Sequence, residues 1–158
     1  MALKRYTGTL TCTLASLADA AARQSAALSL EAGGGVLSAG EVALNAWISV
    51  QVQAGTTPDS KAEVYAAAEM NGNWQDGATG SDAAFTASDI DNLPLLGVID
   101  FDDTADAIRM MAPASLRDAF AGAMPDQVSV VVLNESGAAF NAAATEMEVY
   151  YVVEAWEA

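Results

Sequence analysis

The sequence of 158 residues contains no histidine, a single cysteine and only six basic residues. Without histidine the chain lacks the commonest general base and imidazole metal ligand, which excludes Ser-His-Asp and Cys-His catalysis and every zinc site that needs a histidine. Cys12 alone can form neither an intramolecular disulfide nor a four-cysteine metal or iron–sulfur site. We therefore expect a protein that is not an enzyme, with no catalytic residue, no cofactor and no metal.

The shortage of positive charge excludes further classes of partner. The chain carries 21 acidic residues against six basic ones, a formal net charge of −15. Nucleic-acid binding needs clustered lysine and arginine, and an anionic membrane surface would repel such a chain, so we expect neither partner. The sequence also has no long apolar run, and residues 6–20 carry polar residues where a signal peptide would be apolar.

Alternation of apolar and polar residues at period two dominates what is present, which is typical of strands with one buried face. It is clearest over residues 42–53, where Ile48 and Val50 alternate with Trp47 and Ser49. Similar runs predict further strands at 10–17, 25–32, 61–70, 94–101, 108–112, 127–133 and 146–154. The turn residues between them favour an all-β fold, a jelly-roll-like antiparallel β-sandwich of about eight strands.

The domain organisation is simple. The length predicts a single β-sandwich domain over residues 10–158, preceded by a flexible N-terminal arm over residues 1–9. One short helix is predicted near 114–123, because Pro113 suits a first helical turn and Gly122 would end the helix.

One motif resembles an enzyme signature. The apolar strand that ends in Asp100-Phe101-Asp102-Asp103-Thr104 resembles the first motif of the haloacid-dehalogenase-type phosphatases. That resemblance would make Asp100 a nucleophile and Asp102 a general acid beside magnesium. However, that family opens its domain with this motif and needs a downstream lysine, whereas both lysines here lie upstream. We interpret residues 100–106 as a solvated acidic loop.

Aromatic and basic residues provide the candidate contact sites. Outward-facing aromatic side chains on a strand either contact another subunit or lie under a covering segment, and the pattern leaves both open. The only adjacent basic pair, Lys4-Arg5, lies in the predicted arm, which is either an unstructured terminus or an arm whose charge orients docking on an acidic neighbour. The predicted contact residues are Lys4, Arg5, Tyr6, Trp47, Trp74, Tyr150, Val152 and Trp156.

The order of segments over residues 10–157 resembles the small tailed-bacteriophage virion proteins of jelly-roll type that decorate or cement the head. The segments that carry the resemblance are Ala21-Ala22-Arg23-Gln24-Ser25, the long loop 72–82, Leu95-Leu96-Gly97-Val98-Ile99, the stretch 115–125, and 128–133 followed by Asn134-Glu135-Ser136-Gly137-Ala138.

The resemblance implies a non-enzymatic structural protein that binds across major capsid protein subunits or other virion proteins. It implies a homotrimer at three-fold positions of the capsid surface, assembled in the host bacterial cytoplasm. A neck, collar, tail-adaptor or fibre-base component is an alternative in the same class. A carbohydrate-binding β-sandwich module is the alternative from another class, based on an exposed Trp74 beside loop Asn and Asp residues.

Overall fold

The computed structural model describes residues 2–157, of which nearly half are in strands. None of the described helices is long and apolar enough to cross a membrane. The strands are β1 (Leu3–Leu10), β2 (Ala22–Gln24), β3 (Leu28–Ser29), β4 (Glu41–Gln53), β5 (Lys61–Met70), β6 (Asn73–Trp74), β7 (Ala83–Phe85), β8 (Leu95–Asp100), β9 (Ile108–Met110), β10 (Ala114–Ser115), β11 (Gln127–Glu135) and β12 (Glu148–Glu157). The helices are α1 (Leu116–Ala119) and two 3₁₀ helices, Ala87–Asn92 and Ala144–Glu146.

The strands form two antiparallel sheets. In sheet 1 the order is β1-β12-β4, and the short strands β9 and β10 both pair with the far side of β4. In sheet 2, β5 pairs with β11, and β2 and β3 both pair with the other side of β11. β8 and β6 pair with β5, and β7 extends the sheet beyond β2.

This arrangement confirms the predicted fold class. When short strands that share one neighbour are taken together, β2 with β3 and β9 with β10, the sheets have the orders β1-β12-β4-β9/β10 and β2/β3-β11-β5-β8. Eight antiparallel strand positions, divided between two packed sheets in these orders, are the jelly-roll arrangement. α1 lies inside the predicted interval 114–123, where the Ser115 hydroxyl caps it by accepting a hydrogen bond from the Asp118 amide at 3.2 Å.

The predicted N-terminal arm is wrong. β1 pairs with β12 residue for residue, from Leu3 opposite Trp156 to Leu10 opposite Val149. Its alternation is hard to read because two of its inward positions are Lys4 and Gly8. The Tyr151 ring lies over Gly8, where an added Cβ would come within 2.5 Å of the Tyr151 hydroxyl. The strand predicted at 10–17 is correspondingly absent beyond Leu10, and of 25–32 only Leu28–Ser29 is strand.

The main core lies between the two sheets. β4 contributes Ile48, Val50 and Val52, all fully buried, and β11 contributes Val128, Val130 and Val132 from the facing sheet. Burial of side chains this size contributes about 1.5–3 kcal/mol each before the entropic cost of folding is counted. The core is thus built mainly from β-branched side chains, which suit a pleated, half-buried surface.

A second, smaller cluster covers the other side of sheet 2. Residues 71–93, named here the cover segment, lie over the outer surface of that sheet. The cluster comprises Ala22, Ala67, Ala78, Phe85, Ile90, Leu93, Val131 and Leu133. The buried Gln24 fastens the segment, since its side-chain amide donates to the Thr79 hydroxyl at 2.9 Å and accepts from the Thr79 amide at 3.0 Å. This chain therefore covers part of the outer surface of sheet 2 itself.

Candidate interface on the outer face of sheet 1

The side of sheet 1 that points away from the core, named here the outer face, is made of three long strands in register. Antiparallel partners that lie directly opposite share a face, so each cross-strand row can be assigned from the pairing. From one end to the other the rows are Leu3–Trp156–Val42, Arg5–Glu154–Asn45, Thr7–Val152–Trp47 and Thr9–Tyr150–Ser49. A register irregularity, in which Leu44 of β4 has no partner on β12, keeps Val42 opposite Trp156 on this face.

Exposed apolar side chains are concentrated on the outer face. Residues 2–157 have eight exposed large apolar side chains, and five of them lie here. Leu3, Val42 and Trp156 form one row at one end of the sheet, with exposed fractions of 56%, 61% and 39%. Ile108 and Met110 lie on β9, opposite Gln53 and Gln51 of β4. Such a concentration on one face is typical of a contact surface.

The two sheets differ in what covers them. The outer surface of sheet 2 lies beneath the cover segment, which buries Phe85 and Ile90 against it. No comparable second cluster forms over sheet 1 among the described residues, and Trp156 stays exposed there. Of the two explanations for outward aromatic residues, a covering segment applies to sheet 2, and an open contact surface fits sheet 1.

The centre of the outer face holds a shallow depression of about 260 Å³, lined by Arg5, Trp47, Pro113, Val152 and Glu154. The lining combines the indole, pyrrolidine and isopropyl groups of Trp47, Pro113 and Val152 with one cation and one carboxylate. Apolar and aromatic side chains together with a few charged groups are usual at a protein contact surface.

The outer face is almost neutral on a strongly acidic molecule. The outward positions of β1, β4 and β12 carry only three charged side chains, Arg5, Glu148 and Glu154. The other acidic residues lie mostly in loops and on sheet 2. Arg5 makes no ion pair with any residue in the described range, whereas four of the other five basic residues do. Close approach of a second protein is therefore penalised least by charge repulsion on this face.

A polar network fixes the edge of the outer face beside α1. The Asn45 side-chain oxygen accepts hydrogen bonds from the Ser115 hydroxyl at 3.1 Å and from the Arg117 amide at 3.2 Å. The Arg117 guanidinium donates to the Leu44 carbonyl at 2.8 Å. These bonds tie α1 and β10 to β4 at the edge of the depression.

The structure brings five of the eight predicted contact residues onto this one face: Arg5, Trp47, Tyr150, Val152 and Trp156. Lys4 and Tyr6 lie on the same strand as Arg5 but on its opposite side, against Glu41. Trp74 belongs to the cover segment, where it is half-buried, and Gly80 lies so close that an added Cβ would overlap the indole. The prediction missed Leu3, Val42, Ile108 and Met110, whose roles depend on strand pairing.

Among the described residues, Glu41 is the buried charged residue with the most side-chain hydrogen-bond partners. Its side chain is 1% exposed and accepts hydrogen bonds at 2.7 Å from the Lys4 ammonium, the Tyr6 hydroxyl and the Ser38 amide. The Lys4 and Tyr6 bonds, with the Ser38 amide, lower the pKa of Glu41 to about 2. Lys4 therefore fastens β1 to the start of β4 and is not a free anchoring group.

This cluster leads to an expected pH dependence. A carboxylate whose pKa is lowered on folding stabilises the native state above its ordinary pKa, and that stabilisation disappears as pH falls through the native pKa. We expect Glu41→Gln to lower the free energy of unfolding at pH 7, with the deficit shrinking as pH falls from 4.5 towards 2. Urea unfolding at several pH values measures the difference in the free energy of unfolding between the parent and Glu41→Gln. Glu31→Gln, which removes an exposed carboxylate without a side-chain hydrogen bond or ion pair in the described range, is the control and should change the free energy of unfolding little.

The acidic motif lies away from this face. Asp100 is exposed at the end of β8, and Asp102 accepts a hydrogen bond from the Thr104 amide at 3.2 Å and pairs with Arg109 at 2.7 Å. Within residues 2–157 no three acidic or cysteine side chains are grouped to hold a metal ion. Burial, with the nearby Asp82 carboxylate, raises the pKa of the Cys12 thiol to about 12. That thiol therefore stays protonated and is a poor nucleophile.

No protein-family model and no curated protein matches this chain. The candidate site is therefore defined by its geometry: a flat, rigid, nearly neutral sheet face with an apolar row at one end. Such a surface has the chemistry for binding another protein by burial of apolar area.

Proposed function

We propose that the protein is a non-enzymatic structural component of a tailed-bacteriophage virion that decorates the capsid surface. The outer face of sheet 1 would bind across neighbouring major capsid protein subunits. Because it binds the assembled shell and not free subunits, it would stabilise the shell by linkage. A component of the neck or collar would use the same face in the same way.

The single observation that supports this function most is the difference between the outer surfaces of the two sheets. Residues 71–93 lie over sheet 2, whereas Trp156, Val42 and Leu3 are exposed on sheet 1. A carbohydrate-binding function loses its main support, because the half-buried Trp74 packs in the cover segment and against Gly80.

We also propose that the protein forms a homotrimer. Three copies, each with a formal charge of −15, repel one another at low ionic strength. At physiological ionic strength the screening length is about 8 Å, so repulsion between exposed carboxylates falls steeply as salt is added. We expect the trimer to become more stable as salt rises.

Light scattering over a range of salt concentrations measures this association. The mass should rise from that of a monomer towards that of a trimer with added sodium chloride. A constant monomer mass at both extremes would argue against the trimer, and it would leave the proposed attachment of single copies to a capsid unaffected.

The experiment that tests the proposed function is co-sedimentation with phage heads that lack the protein. Saturable binding in fixed proportion to the major capsid protein is the expected result. Binding to a glycan array without binding to heads would favour the carbohydrate-binding alternative and would overturn the proposal.

A further inference from the structure

The free edge of β1 presents a row of unpaired backbone groups. The hydrogen bond from the Glu157 amide to the Ala2 carbonyl, 3.1 Å long, fixes which pairs of this ladder are hydrogen-bonded. Because such pairs alternate, Lys4, Tyr6, Gly8 and Leu10 bond to β12. The N–H and C=O groups of Leu3, Arg5, Thr7 and Thr9 therefore point away from β12, and no residue in the described range hydrogen-bonds to them.

The other sheet edges of the described structure are protected in ways that β1 is not. Natural proteins prevent edge-to-edge pairing with short strands, bulges and prolines. β3, β6, β7, β9 and β10 each have only two or three residues. β8 follows Pro94 and has a register irregularity opposite β5. β1 has eight residues, no proline and regular pairing throughout, so it alone offers a complete template for another strand.

The charge of β1 indicates what kind of strand would pair with it. The first acidic residue of the chain is Asp19, so β1 contains no carboxylate, and Arg5 has no ion-pair partner within residues 2–157. A second copy of β1 could bring no carboxylate to Arg5 in any register, and it would bring a further net charge of −15. A strand on the free side with its own carboxylate opposite Arg5 would supply the ion pair that Glu154, opposite Arg5 on β12, does not form.

A groove beside the end of β1 provides apolar contacts for the same strand. It has a volume of about 410 Å³ and runs between β1 and the glycine-containing loop 33–36. Its lining includes the apolar side chains of Leu10, Leu28, Val36 and Tyr151. A strand that continues along β1 past Thr9 would meet this groove.

We propose that the free edge of β1 binds an extended segment of a partner protein by strand addition. The segment carries a carboxylate opposite Arg5, on the outer face, and an apolar side chain opposite Leu10, on the inward side, where it enters the groove. Backbone hydrogen bonds to the four odd-numbered residues would provide affinity, and the carboxylate and the apolar side chain would provide specificity. Arg5 also lines the depression on the outer face, but the free backbone edge of β1 is not part of that face, so this inference does not depend on the proposed attachment to a capsid.

β12 offers a sequence of suitable length and register for a probe, because it pairs with β1 along the whole strand and places Glu154 opposite Arg5. A synthetic peptide with the sequence of residues 148–157 is therefore the probe. Amide hydrogen exchange of the full chain, followed by NMR with and without this peptide, reads out each backbone position. The peptide should slow exchange at Leu3, Arg5, Thr7 and Thr9 and leave Lys4, Tyr6 and Gly8 unchanged.

Two pairs of matched variants test the mechanism. Thr7→Pro removes one free N–H without removing a bond to β12, and it should weaken peptide binding about tenfold, whereas Thr7→Val should bind like the parent. Where Thr7→Pro fails to fold, a second peptide, with glutamine in place of Glu154, tests the ion pair. This peptide should bind the parent chain several-fold more weakly than the original peptide does. The Arg5→Gln chain should bind the two peptides equally.

Three results would overturn the inference. The first is unchanged exchange at the odd-numbered amides at the highest soluble peptide concentration. The second is slow exchange of the same amides without peptide that becomes slower as the protein concentration rises. That result would identify a second copy of the chain as the occupant. The third is faster exchange at Lys4, Tyr6 and Gly8, which would show that the peptide displaces β12.

Discussion

Trp156→Ala is expected to weaken attachment of the protein to phage heads that lack it by roughly thirtyfold or more, the effect of losing one contact hot spot. The indole lies in the exposed apolar row with Leu3 and Val42, and tryptophan is among the residues that most often dominate such contacts. Because the side chain is 39% exposed, its removal should destabilise the fold less than truncation of a fully buried core residue. Co-sedimentation over a concentration series measures the change.

Val98→Ala is the matched control. Val98 has a similar exposed fraction, 38%, but it lies on β8 of sheet 2, opposite Glu63. Its truncation should not alter attachment. Equal losses for the two variants, or no loss for Trp156→Ala, would show that the outer face of sheet 1 is not the contact surface.

Ile48→Ala is expected to lower the free energy of unfolding by about 2–5 kcal/mol, because it leaves a cavity in a close-packed core. Ile48 is fully buried on the inner side of β4, between Tyr151 of β12 and Ala114 of β10 in the ladder. For a domain of this size each kcal/mol corresponds to about 2–4 °C, so the midpoint of thermal unfolding should fall by roughly 4–20 °C. Denaturant unfolding and calorimetry measure the two quantities.

Val42→Ala provides the comparison on the same strand. Val42 is 61% exposed, so its truncation should change stability by no more than about 0.5 kcal/mol. Similar stability losses for Ile48→Ala and Val42→Ala would contradict the assignment of inner and outer faces to β4.

The strands that sequence alone predicted well are those with strongly alternating apolar residues. β4, β5 and β12 each place one apolar series against the core, and that pattern is legible without the structure. β1 was missed because its inward positions include Lys4, neutralised by Glu41, and Gly8, which makes room for Tyr151. Lys4 and Gly8 fit at inward positions only because of Glu41 and Tyr151, which are far away in sequence, so no local pattern could reveal this strand.

The candidate site was predictable only in part, for a similar reason. The polar-face positions of Trp47, Tyr150 and Val152 follow from alternation within their own strands. Whether a face is open or covered depends on where distant loops pack. This packing explains why Trp74 is half-buried whereas Trp156 is exposed. The apolar row of Leu3, Trp156 and Val42 exists only because three strands pair in one register.

Oxidative footprinting of the protein, free and attached to phage heads, tests the outer face most directly. Hydroxyl radicals modify exposed tryptophan, tyrosine and methionine side chains, and mass spectrometry locates the modified residues. We expect attachment to protect Trp47, Tyr150 and Trp156 on sheet 1 and to leave Met70 and Trp74 of sheet 2 unchanged. Protection of Met70 and Trp74, with Trp156 as reactive on the head as in free solution, would contradict the proposed contact surface.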